Sequence, residues 1–150
     1  MIILVHGGGF VYNDSQSHQA QLMYHYFRDH GYACASVNYR LAQEAAFPAG
    51  VEDVKSAIRF LRANAEKYGY DPERFAIWGE SAGGYLSVIC GASNDEEFNS
   101  VPFIGEDENH PVSSEVQVIL DYYGCMEFGT MEDDYRELRI PKIVRWAASL

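Results

Sequence analysis

The chain has 150 residues, of which 47% are hydrophobic, 14% aromatic and 22% charged. That length and apolar content fit one domain with a sizeable core and exclude a disordered polar chain. The net charge of −11 repels phosphate backbones, so no nucleic-acid partner is expected, and no apolar run reaches the ~18 residues of a membrane span.

Residues 1–5 form a short apolar run that ends at His6-Gly7-Gly8-Gly9, where the glycines end a strand and open an irregular loop. Residues 17–30 read as a helix, with Ala20, Met23, Tyr24 and Phe27 on one face and Gly31 as its stop. Tyr32 to Val37 is a second buried strand, followed by a loop through Asn38-Tyr39-Arg40-Leu41. Pro48 opens a helix that runs to about Tyr68. Val51, Val54, Ile58 and Leu61 form its buried stripe, and Glu52, Lys55, Arg59 and Arg62 lie mostly outside. Asp71-Pro72-Glu73-Arg74 is a turn, and Phe75 to Trp78 a short strand. Gly79 to Gly84 is a tight turn, and Tyr85 to Cys90 lies on a helix. Residues 93–114 form an acidic excursion, and Val116 to Leu120 a fourth strand. After Thr130 the tail is mixed, with a helix after Pro141. Strands alternating with helices imply βαβ units: a parallel sheet with helices on both faces.

The charge imbalance is local. No Lys or Arg occurs between Arg74 and Arg136, a stretch rich in Asp and Glu. These acidic runs read as solvated loop and match no calcium-binding loop. Cys34, Cys90 and Cys125 fit neither a redox pair nor a zinc site, and an odd count suits reduced thiols. The first residues lack the basic flank of a secretory signal, so a cytoplasmic location is expected and the sequon at Asn13 is read as coincidence.

Gly79-Glu80-Ser81-Ala82-Gly83-Gly84 fits G-x-S-x-G between an apolar strand and a helix. A serine at such a sharp turn is lifted into the open, and Gly79 and Gly83 flank it because side chains there would strike backbone. The helix start adds N–H groups and a dipole that favour a developing anion. His6-Gly7-Gly8-Gly9-Phe10 supplies a second set of N–H groups after a strand. Together the two loops describe an acyl-transfer site.

These loops, with Asn38-Tyr39-Arg40-Leu41, Phe47-Pro48-Ala49-Gly50, Glu52-Asp53-Val54, Asp71-Pro72-Glu73-Arg74 and Asp121-Tyr122-Tyr123-Gly124, resemble the α/β-hydrolase fold. The resemblance is to carboxylesterases similar to hormone-sensitive lipase and to small bacterial feruloyl or acetyl esterases. It implies Ser81 as nucleophile and an oxyanion hole from the N–H groups of Gly8, Gly9 and Ala82, with His6, Gly7, Gly79, Glu80 and Gly83 supporting the motifs. It also implies hydrolysis of small acyl, aryl or carbohydrate-linked esters through an acyl-enzyme, with no metal or cofactor.

By that resemblance a triad acid and then a histidine follow the serine on later strands. His110 is the one histidine after Ser81, and it falls in the acidic excursion. Asp121 is expected to be structural, as are Arg40 and Asp53, while His6 shapes the glycine loop. His18, His25 and His30 are expected at the surface or in packing. The expectation is therefore a partial hydrolase domain over 1–150, an incomplete sheet without the strands that carry acid and base, and little activity on its own. A prolyl-oligopeptidase-type peptidase and a catalytically dead interaction protein share the elbow. The His-Gly-Gly-Gly loop with Asn-Tyr-Arg-Leu favours the esterase. No sequence feature specifies an oligomeric state.

Overall fold

The computed structural model describes residues 1–93, 95, 97–107 and 109–129. The helix expected after Pro141 lies outside them. Eight elements follow in order: β1 (Ile2–Val5), α1 (His18–Asp29), β2 (Cys34–Val37), α2 (Ala49–Ala63), α3 (Ala65–Tyr68), β3 (Ala76–Glu80), α4 (Ala82–Ala92) and β4 (Val118–Tyr122). The four strands form one parallel sheet in the order β2-β1-β3-β4. Val5 pairs with Val37 and Gly79, and Gly79 with Asp121, so the carboxyl ends of all four strands reach one rim.

Side chains alternate across the sheet and sort into two cores. Ile3, Val5, Val37 and Ile77 pack with Val51, Val54 and Ile58 of α2 and with Leu86 and Cys90 of α4. Ile2, Leu4 and Trp78 form the opposite face, against Met23, Tyr24 and Phe27 of α1. β1 is central and buried at every position, which explains its unbroken apolar run. Ser17 caps α1, its Oγ accepting from the N–H of Ala20 at 3.3 Å.

Three boundaries differ from the sequence reading. The helix expected to reach Tyr68 breaks at Asn64, whose side-chain amide donates to the carbonyl of Phe60 at 2.8 Å and competes with the helical ladder. β3 runs on through Gly79 and Glu80, and α4 starts at Ala82, because the turn between them consumes Ser81 alone. β4 lies two residues later than expected, in register from Ala76↔Val118 to Glu80↔Tyr122.

The larger correction concerns the cations of α2. Lys55 is 0% and Arg59 3% exposed, not on the outside of the helix. Helical spacing sets Lys55, Arg59 and Arg62 along a stripe, and the described residues between 93 and 115 fold back over it. Lys55 Nζ donates to Ser93 Oγ at 3.0 Å and to the Glu97 carbonyl at 2.7 Å. Arg59 donates to Glu106 at 2.8 Å, and to Asn99 and the Val101 carbonyl at 2.6 Å each. Arg62 donates to the carbonyls of Ser113 and Glu115 while lying 4.4 Å over the Phe75 ring. The excursion is thus anchored rather than loosely solvated, and Asp95 closes its base by accepting from the Ser114 N–H at 2.8 Å.

Removing Arg59 leaves the partly buried Glu106 carboxylate and the Val101 carbonyl without their donor, a loss of about 3 kcal/mol for a buried pair. Arg59→Ala should therefore open the excursion roughly a hundredfold more often. Limited proteolysis should reveal fast new cuts within 97–107, and an unchanged cleavage pattern would refute the clamp. At the sheet rim, all five residues of β4 are exposed among the described residues, with an unpaired edge and no blunting Lys or Pro. Sedimentation should show concentration-dependent self-association that Leu120→Lys shifts toward monomer. Wild-type chain that stays monomeric at every concentration would count against this edge effect.

Candidate active site

Ser81 joins β3 to α4 with φ 51° and ψ −120°, a strained backbone for a residue with a side chain. Its own N–H donates to the Tyr122 carbonyl at 2.9 Å, which extends the β3–β4 ladder one step past the strand. Three glycines make the turn geometrically feasible. A Cβ on Gly79 would stand 2.1 Å from the Gly83 carbonyl oxygen, and one on Gly83 2.1 Å from that of Val5. A Cβ on Gly7 would meet the Glu80 carbonyl oxygen at 2.9 Å and Ser81 Cβ at 3.2 Å. The glycine loop, β1 and the serine turn therefore touch backbone to backbone.

The glycine loop coils tightly. Gly8 has φ 122°, Gly9 58° and Phe10 65°. The Gly8 carbonyl accepts from Val11 at 3.0 Å and Tyr12 at 3.2 Å, and Asn13 Nδ2 donates to the Gly7 carbonyl at 3.3 Å. Among the described residues, no acceptor takes the N–H of Gly8, Gly9 or Ala82. Gly8 is buried, and a buried donor without a partner is the kind of group a ligand atom satisfies.

His6 is 1% exposed. Its Nδ1–H donates to the Gly7 carbonyl at 2.7 Å, and its ring stacks on Tyr39 at 4.4 Å. Tyr39 returns a hydrogen bond from its hydroxyl to the His6 carbonyl at 2.8 Å. Desolvation holds the imidazole below its ordinary value of 6.5, so the ring stays neutral beneath the loop. Tyr39 in turn sits beside Arg40, whose Nε and backbone N–H both donate to Asp53 at 2.8 Å. Burial raises the Tyr39 phenol above its ordinary value, and the Glu80 charge adds to this.

The remaining predicted residues fall away from Ser81 Oγ or play supporting parts. Asp121 accepts from the Gly124 N–H at 2.8 Å, and its carboxylate fills the space a Cβ on Gly84 would occupy. It packs α4 on β4. His110 is exposed and pairs with Asp107 at 2.7 Å, while His18, His25 and His30 are exposed around α1. None of these histidines hydrogen-bonds Ser81 among the described residues. Sequence reasoning missed the partners of Glu80 and the role of Tyr39. The Tyr39 hydroxyl lies within a recognised motif, but only the fold brings it under His6. Beside the site, Phe10, Phe47, Tyr85, Leu86 and Phe128 line an apolar cleft of about 380 Å³.

The family model described as BD-FAE matches residues 1–145. The chain belongs to the BD-FAE family. This BD-FAE chain is 29% identical over 146 residues to the "Probable carboxylic ester hydrolase LipM" of Mycobacterium tuberculosis, covering 97% of the chain and 32% of that protein. It is 38% identical over 88 residues to the "Ethyl acetate hydrolase" of Pseudomonas putida, covering 59% of the chain and 27% of that protein. The chain thus spans about a third of the length of the curated relatives it matches. Among solved structures, a bifunctional GH43-CE protein of Bacteroides eggerthii superposes with TM-score 0.78 at 30% identity, covering 88% of this chain and 18% of that one. A truncated carbohydrate esterase from gut microbiota gives TM-score 0.74 at 29% identity, covering 88% of this chain and 48% of that one. The fold is that of an α/β hydrolase, with the sheet incomplete among the described residues, and the family is one of carboxylester hydrolases.

The buried neutral His6 makes a pH prediction. Its folded value lies below 6.5 and its unfolded value near 6.5, so below that pH the unfolded chain binds more protons. Stability should be full above about pH 6.5 and fall as pH drops through the lowered folded value, by at most ~1.4 kcal/mol per pH unit. His6→Asn, which keeps a donor for Gly7, should flatten that part of a urea-denaturation pH profile. An equally steep profile in the variant would assign the loss to other groups.

Proposed function

We propose that the Ser81 turn and the glycine loop form the acyl-transfer centre of a serine carboxylester hydrolase. The observation that carries this reading is the close approach of the glycine loop to a strained, partly exposed serine, a Cβ on Gly7 standing 3.2 Å from Ser81 Cβ, with the N–H groups of Gly8, Gly9 and Ala82 left without an acceptor among the described residues. Ser81 Oγ attacks the ester carbonyl, a C–O bond forms, and the carbonyl electron pair moves onto oxygen. The three N–H groups and the positive end of α4 stabilise that oxyanion. When the tetrahedral centre collapses, the bond to the alcohol breaks and the serine proton leaves with the alcohol. Water then cleaves the acyl-enzyme by the same sequence.

His6 serves as the foundation of the glycine loop: it is 1% exposed, its Nδ1–H donates to the Gly7 carbonyl, and its ring stacks on Tyr39. The substrate class is a small acyl, aryl or carbohydrate-linked ester. The apolar cleft at Phe10 and Tyr85 supports a compact apolar group on one side of the ester. The names of the relatives support esters rather than peptides, including one called an ethyl acetate hydrolase and one a carbohydrate esterase.

A fluorophosphonate probe with mass-spectrometric mapping tests the assignment. Without a histidine at Ser81, the 150-residue chain should label slowly and at Ser81 alone, and Ser81→Ala should remove the adduct. Residual reactivity on the order of 10³-fold over water is what oxyanion binding supplies by itself. An adduct at another residue, undiminished in Ser81→Ala, would overturn the assignment.

A further inference from the structure

Glu80 precedes the serine, and its side chain is not spent on the sheet. It is 9% exposed, and its carboxylate accepts a hydrogen bond from the Tyr123 hydroxyl. Tyr123 stands just past β4 with φ 48°, a conformation held by the turn in which Asp121 accepts from Gly124. The Glu80 carboxyl carbon also lies 3.4 Å from where a Cβ on Gly7 would stand, so the glycine loop passes close beside it. The carboxylate is therefore where three segments meet: the serine turn, the glycine loop and the end of β4.

The geometry points to Glu80 and Tyr123 as a positioning pair that fixes the glycine loop relative to Ser81, with Tyr123 O–H holding the carboxylate that the loop passes beside. This rests on the serine-hydrolase reading for its catalytic meaning, though the mechanical coupling stands on contacts alone. An ionised carboxylate behind an oxyanion hole is unfavourable unless a donor engages it. Tyr123 supplies that donor and at the same time fixes where the carboxylate points. The Glu80 charge is felt at both His6 and Tyr39, which shows how near it lies to the loop's foundation. Neither residue is expected to touch substrate.

Selective 15N-glycine labelling of the 150-residue chain tests the coupling without needing turnover. Tyr123 is 59% exposed, so Tyr123→Phe removes one hydroxyl without opening the core. In Tyr123→Phe and Glu80→Ala the Gly7 and Gly8 amide resonances should move while those of Gly31 and Gly69, at helix ends, stay in place. Glu80→Gln keeps an oxygen that accepts from Tyr123 and should restore them. Gly7 and Gly8 resonances unmoved in folded Tyr123→Phe would overturn the coupling. In the phosphonate reaction, Tyr123→Phe should lower the rate at saturating probe on the order of tenfold, the scale of one charge-assisted hydrogen bond. The half-saturating concentration should hold. A change confined to that concentration would overturn the positioning role. Wild-type chain with no Ser81 adduct at all would instead refute the hydrolase reading, and the resonance shifts would still decide the coupling.

Discussion

The site depends on direct contact between stretches of main chain that side chains would hold apart. The Val5 carbonyl oxygen lies 2.1 Å from where a Gly83 Cβ would stand, and the Gly83 carbonyl oxygen lies as close to that of Gly79. These missing carbons let α4 start within one residue of β3. They also let the central strand pass under the helix terminus. The strain at Ser81, the direction of the α4 N–H groups and the seat of the glycine loop all follow. A close fit of backbone on backbone is also rigid, because no rotamer can relax it. That rigidity suits a site whose donors must be aimed before the charge develops.

Around this centre the support is polar, with His6 and Tyr39 buried and an exposed Arg40 beside them. His6 and Tyr39 stack and exchange hydrogen bonds with the loop, and Arg40 is locked on Asp53. Each group has a partner, so the desolvation that would penalise it is offset. The arrangement gives the loop a floor that holds its shape as well as a packed core would.

What the sequence makes legible is whatever is local. The run of Ile2 to Val5, the Gly79 to Gly83 spacing and the Gly31 stop each act within a few residues, and the fold has them close to where they read. The α2 cations do not read correctly, because helical periodicity assigns long charged side chains to solvent. Burial of Lys55 and Arg59 is decided by a segment some forty residues away that folds over them. The Glu80–Tyr123 contact is equally remote in sequence and depends on a left-handed residue after β4. Asn64 shows the same limit on a smaller scale: its composition fits a helix, and its side-chain bond to Phe60 ends it.

The clamp over α2 has a consequence for what the excursion's own sequence has to supply. Lys55, Arg59 and Arg62 grip the excursion at the carbonyls of Glu97, Val101, Ser113 and Glu115. A carbonyl is the same whichever residue carries it. At these four points the grip therefore reads the course of the main chain over α2. Ser93, Asn99 and Glu106 are where the same grip does depend on which side chain the segment carries.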